Sequence, residues 1–219
     1  MLLIIGNKNY SSWSFRPWIA MKVAGITFEE RVISLNDSDF KRAIASVSKN
    51  GRVPAIDDDG VHVWESLAVL EYLAEKFPQA KLWPTDVRAR AHARAIAAEM
   101  HAGFAGLRQS MWMNLGRDFS GLGRTPEALA DIARIEAMWA DARRRFGAGG
   151  PFLFGAAFTL ADAMYAPVVT RFLTWRPEIG TATRDYCAAV RAHPLVNAWY
   201  QGAAAEPAEW LLPDYEAAR

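Results

Sequence analysis

In the N-terminal part of the chain, short apolar runs alternate with stretches in which apolar residues recur at helical spacing. The run LLIIG at residues 2–6 is rich in Leu and Ile and stops at a glycine, which predicts a buried first strand. Apolar residues then recur every three or four positions from Ser14 and stop before Gly25. This spacing predicts the first helix, with Gly25 as its C-terminal stop.

The same reasoning predicts three more strands and two more helices before residue 80. We expect the strands over 28–35, 53–57 and 61–64, and the helices over 39–46 and 66–77. A DDDG turn joins the last two strands, so they are expected to form an antiparallel hairpin. An order of strand, helix, strand, helix, strand, strand and helix predicts a small α/β unit with a mixed sheet.

Beyond residue 80 the pattern changes to Ala-rich helical periodicity, and no β-rich alternating run follows. Helices are expected over 87–114 and 126–146, from Thr159 onward, and in two shorter pieces around Asp185 and Val196. We therefore predict an α/β domain at 1–80, a proline-bearing linker at 81–86 and an all-helical domain at 87–219.

One helix start in the second half carries a clear structural signature. Thr159 is followed three residues later by Asp162, which predicts a capping box. Pro167 then falls inside the same helix, where it costs about 3 kcal/mol unless a kink suits the packing. We assign Asp162 to stability and not to catalysis.

Charge and composition exclude several classes of protein. The 25 Lys and Arg residues are balanced by 24 Asp and Glu residues, so no overall field attracts nucleic acid or an anionic membrane. The first apolar run is too short for a signal peptide or a membrane span, and we expect a cytoplasmic protein. A single cysteine, Cys187, excludes an internal disulfide and is expected to be an inert core thiol. His92 and His101 fall on opposite faces of one helix, so we expect no metal site.

Adjacent serines, Ser11 and Ser12, stand between the first strand and the first helix. Free N–H groups at a helix start carry partial positive charge, so this corner favours an anionic ligand atom such as a thiolate. A hydroxyl that donates to a charged sulfur contributes about 1.5–3 kcal/mol, which is enough to ionise a bound thiol near neutral pH. The serines could equally cap the helix, and this stretch alone leaves both interpretations open.

Two other corners of the α/β unit carry candidate binding groups. Arg52, Val53 and Pro54 lie at a strand entry, where a cis bond before proline would turn the Val53 backbone outward toward an extended peptide. Glu65 and Ser66 lie at the next strand-to-helix corner, where free N–H groups can hold a carboxylate. A turn-ending proline and a capping serine are the structural alternatives. Together the three corners match the parts of a short thiol tripeptide.

At these motifs the chain resembles the soluble glutathione transferase superfamily. The resemblance is closest to the zeta class at its SSC signature and to bacterial transferase-like proteins that carry SSWS followed by RPW. It extends over residues 10–30, 48–78, 158–172 and 192–200. It implies a thioredoxin-like N-terminal domain, a helical glutathione transferase C-terminal domain, and a homodimer.

The resemblance also implies roles for individual residues. Ser11 looks like the catalytic hydroxyl beside the sulfur of glutathione, with Ser12 as the second candidate. The expected glutathione contacts are Arg52, Val53, Pro54, Glu65 and Ser66. Glutathione is then the co-substrate, and no metal, nucleic acid or membrane is implied.

The chain departs from the zeta pattern at Trp13, where the pattern has cysteine. This argues against isomerase activity on maleylacetoacetate, because that reaction needs a pocket fitted to a small dianionic substrate. Trp13, Met111, Trp112 and Trp175 are candidate walls for an apolar electrophile, although packing of the helical core explains the last three equally well.

We therefore expect a glutathione transferase with a role in detoxification, in which the thiolate attacks a small hydrophobic electrophile. The alternatives are a glutathione-binding interaction protein without turnover and a zeta-type glutathione-dependent isomerase.

Overall fold

A computed structural model describes residues 1–217. Its N-terminal domain contains four strands and three helices in the predicted order. They are β1 (Leu2–Ile5), α1 (Ser12–Val23), β2 (Glu29–Val32), α2 (Phe40–Ile44), β3 (Ala55–Asp58), β4 (Val61–Trp64) and α3 (Ser66–Lys76). The predicted α/β unit is confirmed. β4 has the predicted bounds, and β1 lies within its predicted range.

The strands form one mixed sheet in the order β2-β1-β3-β4. β1 is parallel to β2 and antiparallel to β3, while β3 and β4 form the predicted antiparallel hairpin. Side chains alternate between the two faces of a strand. Leu3 and Ile5 accordingly enter the main core, while Ile4 enters a smaller cluster with Ile44 of α2. The burial of β1 on both faces explains its continuous apolar run.

The C-terminal domain is helical, as predicted. Its helices are α4 (Val87–Ala102), α5 (Ala105–Ser110), α6 (Pro126–Phe146), α7 (Leu160–Trp175), α8 (Thr181–Ala192), α9 (Pro194–Ala204) and α10 (Pro213–Glu216). Among the described residues, no helix is both long enough and apolar enough to cross a membrane.

The prediction of a single helix over 87–114 is wrong, because the structure has two helices there, α4 and α5. The chain breaks after α4 because Phe104 adopts φ 58° in the left-handed region. α5 then turns to pack on α6, and the Leu107 N–H donates to Asp131 Oδ2 at 2.9 Å. A Cβ on Gly106 would lie 2.7 Å from the Glu127 backbone, so this close approach requires glycine. The apolar spacing continues across the break, which is why periodicity alone did not reveal it.

α7 is buried along almost its whole length and packs against α1. At its start the predicted capping box is present, and both the Thr159 N–H and the Thr159 hydroxyl donate to Asp162 Oδ2 at 2.8 Å. Pro167 has no N–H to bond within the helix. One turn before it, the Met164 carbonyl accepts a hydrogen bond from Arg16 Nε of α1 at 3.0 Å. The α1–α7 contact therefore joins the two domains beside the corner that holds Ser11 and Ser12.

Candidate functional site

The serine corner lies where β1 is followed by α1. Ser11 directly precedes α1, and its side chain does not cap the helix. Its hydroxyl instead donates to Ser14 Oγ at 2.6 Å. Ser14 Oγ also accepts the Gly6 N–H at 3.1 Å, which ties the end of β1 to α1. Ser11 is only 7% exposed, so its hydroxyl lies at the edge of the interior.

Ser12 makes a different contact. Its Oγ accepts a hydrogen bond from Arg171 Nη2 of α7 at 3.1 Å. Arg171 is held in turn by its Nη1, which donates to the Pro167 carbonyl at 3.1 Å. A serine hydroxyl has one hydrogen to donate and can also accept. Because Arg171 donates to Ser12, the hydrogen of Ser12 is left for another acceptor.

A cavity of about 400 Å³ opens beside these serines, between the two domains. Of the residues selected from the sequence, it is lined by Ser11, Ser12, Trp13, Arg52, Val53 and Trp112. Met111 and Trp175 are instead buried, and Trp175 Nε1 donates to the Trp112 carbonyl at 2.9 Å. They support the wall of the cavity from behind.

A second cavity, of about 270 Å³, adjoins the first. It is lined by all the residues selected for glutathione binding, namely Arg52, Val53, Pro54, Glu65 and Ser66. The Val53–Pro54 peptide bond is cis. Trp13, Arg52, Val53 and Arg108 line both cavities, which therefore lie side by side, and we refer to the two together as the cleft.

The Glu65–Ser66 corner combines an unusual backbone conformation with an unpaired hydroxyl. Glu65 has φ 71° and ψ 125°, a conformation that costs about 1–3 kcal/mol for a residue other than glycine. Its Oε1 accepts a hydrogen bond from Asn50 Nδ2 at 2.8 Å. Ser66 is the first residue of α3, and within the described chain its buried Oγ has no hydrogen-bond partner. A hydroxyl and N–H groups at a helix start together suit a carboxylate.

Positive charge that the sequence analysis did not predict surrounds the serine corner: Arg108 and Arg171 line the larger cavity, whereas Arg16 lines neither cavity. Arg16 is completely buried, and its Nη1 donates to the Ser12 carbonyl at 3.2 Å. The guanidinium of Arg16 lies 4.0 Å from the centroid of the Trp13 ring, and that of Arg108 lies 5.5 Å from it. Burial lowers the pKa of Arg171 to about 10, so its guanidinium is still charged at neutral pH. The pKa of Arg16 is lowered by burial and then by Arg171.

A C-terminal strap, residues 206–217, covers one side of the cleft. Tyr10 donates its hydroxyl hydrogen to Glu216 and accepts the Leu212 N–H at 3.3 Å. Burial and the bond to Glu216 raise the pKa of Tyr10 to about 12. The ring of Tyr215 lies 5.6 Å from that of Tyr10 and lines the larger cavity. The hydrogen of Tyr10 is thus committed to the strap, which leaves the serines as the hydroxyls of the corner.

The residues missed by the sequence analysis come from distant parts of the chain. Arg16 and Arg171 each stand alone as a cation within an apolar helical stretch, and that isolation was a usable signal. A charged residue in such a stretch is rarely buried without partners.

Cys187 lies in α8 and is 2% exposed, and burial raises its pKa to about 12. The thiol of the chain itself is therefore a poor nucleophile.

Both halves of the chain match described protein families. The glutathione S-transferase N-terminal domain matches residues 10–76, and the glutathione S-transferase C-terminal domain matches residues 88–202.

Individual relatives agree with these matches. Glutathione S-transferase theta-1 of Mus musculus is 31% identical over 192 residues, covering 84% of this chain and 75% of the relative. A probable maleylacetoacetate isomerase of Caenorhabditis elegans is 28% identical over 194 residues, covering 84% of this chain and 89% of the relative.

Solved structures share the fold. A glutathione transferase homolog from Burkholderia, crystallised with bound glutathione, superimposes with a TM-score of 0.70 at 22% identity, covering 94% of this chain and 98% of that one. A bacterial zeta-class maleyl pyruvate isomerase superimposes with a TM-score of 0.66 at 24% identity, covering 95% of this chain and 99% of that one.

Proposed function

The chain belongs to the glutathione S-transferase family, and from that premise we propose that it transfers glutathione to a small apolar electrophile. The observation that carries the proposal is the pair of adjoining cavities, one lined by both serines and the other by the residues selected for glutathione binding. The γ-glutamyl end of glutathione binds at Glu65 and Ser66, and its cysteinyl backbone lies along Val53. The sulfur then reaches the larger cavity beside Ser11 and Ser12.

Activation of the thiol depends on a serine hydroxyl. A free thiol has a pKa of about 8.5, so only a few per cent is thiolate at neutral pH. A hydrogen bond to the charged sulfur contributes about 1.5–3 kcal/mol, which lowers the thiol pKa by roughly 1–2 units. The hydrogen bonds of the corner favour Ser12 as the donor. Ser11, the residue chosen from the sequence, would first have to release Ser14.

The reaction itself is nucleophilic transfer. The thiolate forms a bond from sulfur to an electrophilic carbon, and the electron pair of the breaking bond leaves with the departing group or goes to the adjacent atom in an addition. Trp13 and Trp112 provide apolar surface for the electrophile on the far side of the cavity. The relationship to the family further supports a homodimer, a cytoplasmic location and a role in detoxification.

A spectroscopic titration tests this proposal. The ultraviolet absorbance of the thiolate, followed against pH, gives the thiol pKa of glutathione bound to the wild type, and we expect a value below about 7.5. Ser12→Ala should raise it by about 1 unit or more, whereas Ser11→Ala should have a smaller effect. Ser120→Ala, at an exposed loop position, is the matched control and should leave the value unchanged.

A second variant separates binding from activation. Ser66→Ala should weaken glutathione binding by about tenfold, because a carboxylate loses one hydrogen-bond donor, while the thiol pKa of the bound peptide stays low. Glutathione that binds to the wild type with an unshifted thiol pKa would contradict the transferase and would indicate a binding protein without turnover.

A further inference from the structure

Two arginines cross the boundary between the domains in opposite directions. Arg16 belongs to α1 of the N-terminal domain, and its Nε bonds the Met164 carbonyl of α7 at 3.0 Å. Arg171 belongs to α7 of the helical domain, and its Nη2 bonds Ser12 Oγ of α1 at 3.1 Å. Arg171 therefore reaches the serine corner from the helical domain, whereas Arg16, one turn beyond that corner on α1, bonds the helical domain in return.

This pair of buried cations lacks a negative partner. Arg16 is 0% exposed and Arg171 is 3% exposed. Within residues 1–217, their hydrogen bonds go to backbone carbonyls and to the Ser12 hydroxyl, and neither forms a salt bridge. Arg16 Nη2 and Arg171 Nε have no hydrogen-bond partner there. A buried charge without a counterion is unfavourable, so the site favours an anion at the corner.

The other charged and titratable groups that line the two cavities do not cancel this field, and the carboxylate of Glu216 beside Tyr10 is already engaged by Arg117. Arg108 of α5 and Arg52 add positive charge to the same cavity. Tyr10 and Tyr215 carry no charge when protonated, and the raised pKa of Tyr10 keeps it so. Among the described residues that line the two cavities, Glu65 is the one that carries a carboxylate, and it lies in the smaller cavity. His101 Nε2 lies 3.7 Å from Glu65 Oε2. The larger cavity therefore favours an anion, and under the proposed function that anion is the sulfur of bound glutathione.

We propose that Arg171 is a positioning residue of the transferase site, which aims the Ser12 hydroxyl at the sulfur and, together with Arg16, keeps that sulfur ionised. This inference rests on the proposed function. It gives the helical domain a part in thiol activation in addition to holding the electrophile. Docking of α7 on α1 then sets the thiol pKa as well as the shape of the cleft.

Arg171→Gln tests the proposal, because glutamine keeps hydrogen-bonding atoms but removes the charge. We expect the thiol pKa of bound glutathione to rise by about 1 unit or more. Affinity for S-methylglutathione, which has no thiol, should stay within about twofold of the wild type, since it requires no ionised sulfur. Arg176→Gln is the matched control, because Arg176 follows the end of α7 and forms an exposed ion pair with Asp118. It should leave the thiol pKa unchanged.

Arg171→Lys is a second variant, which keeps a positive charge at this position. A lysine keeps the cation but cannot reproduce the planar fork that holds Pro167 and Ser12 together. We expect a rise in the thiol pKa of roughly half that seen in Arg171→Gln. If the glutamine variant does not fold, the lysine variant decides alone, and an unchanged thiol pKa there overturns the proposal.

The outcomes separate this inference from the proposed function. A low thiol pKa in the wild type that persists in folded Arg171→Gln overturns the inference and leaves the transferase intact. An unshifted thiol pKa of glutathione bound to the wild type overturns both the inference and the proposed function. If Arg171 acts through Ser12, the shifts in Ser12→Ala and Arg171→Gln are not additive in the double variant, whereas additive shifts overturn the positioning role.

Discussion

A hydroxyl-bearing residue directly precedes both α1 and α7, but the two hydroxyls have different partners. At α7, Thr159 donates both its N–H and its hydroxyl to Asp162 three residues later. At α1 the third residue after Ser11 is Ser14, which has no carboxylate and takes the hydroxyl hydrogen of Ser11 instead. A helix start that closes on itself serves stability. The start of α1 can serve chemistry as well, because the hydroxyl hydrogen of Ser12, which lines the larger cavity, is left for another acceptor.

The largest expected effect is at the start of α7. Asp162 is fully buried and accepts hydrogen bonds from the Leu153 N–H and the Tyr186 hydroxyl, each at 3.0 Å, in addition to those from Thr159. Asp162→Ala leaves these donors unpaired and should lower the free energy of unfolding by about 3–5 kcal/mol. Urea denaturation measures this, with exposed Asp185→Ala expected to change the free energy by less than about 0.5 kcal/mol.

A smaller effect is expected at the start of α1. Ser14 is 0% exposed, and Ser14→Ala leaves the buried Gly6 N–H without its acceptor. This should lower the free energy of unfolding by about 1–3 kcal/mol. Ser11→Ala removes one donor but leaves the Gly6–Ser14 bond, so a loss of about 1 kcal/mol or less is expected. If Ser11→Ala proved as destabilising as Ser14→Ala, the contrast between the two helix starts would fail.

The smallest effect concerns the pH dependence of stability beside α1. His101 packs edge-on against Trp13, with ring centroids 5.4 Å apart. Burial lowers the pKa of His101 from 6.5, so the unfolded chain takes up this proton at a higher pH than the folded one. The contribution of neutral His101 to the free energy of unfolding is therefore fully present above pH 6.5 and is lost as the pH falls below 6.5. Paired denaturation curves at about pH 7.5 and 5 should show a smaller loss in His101→Gln than in the wild type.

The contrast between the two helix starts also explains what the sequence could predict. The capping box at Thr159 and the bounds of α6 follow from neighbouring residues, and the structure matches both. The corner at Glu65 and Ser66, which lines the smaller cavity, is likewise a local motif at the end of one strand. Such features depend on residues a few positions apart, so a pattern can reveal them.

The features that the sequence did not predict depend on contacts between segments that are distant in the chain. Arg171 meets Ser12 across 159 positions of the sequence, and no spacing rule connects them. The break at Phe104 depends on how α5 docks on α6, which local periodicity does not encode. The position of Arg171 beside Ser12 therefore depends on how the two domains pack together.

The C-terminal strap has a consequence for synthesis of the protein. The hydrogen bond between Tyr10 and Glu216 joins residues 206 positions apart. A ribosome has translated the whole thioredoxin-like domain long before it reaches this codon, so a nascent chain presents the cleft with one wall missing. The cleft is therefore complete only after residues 206–217 have been synthesised and have packed against Tyr10.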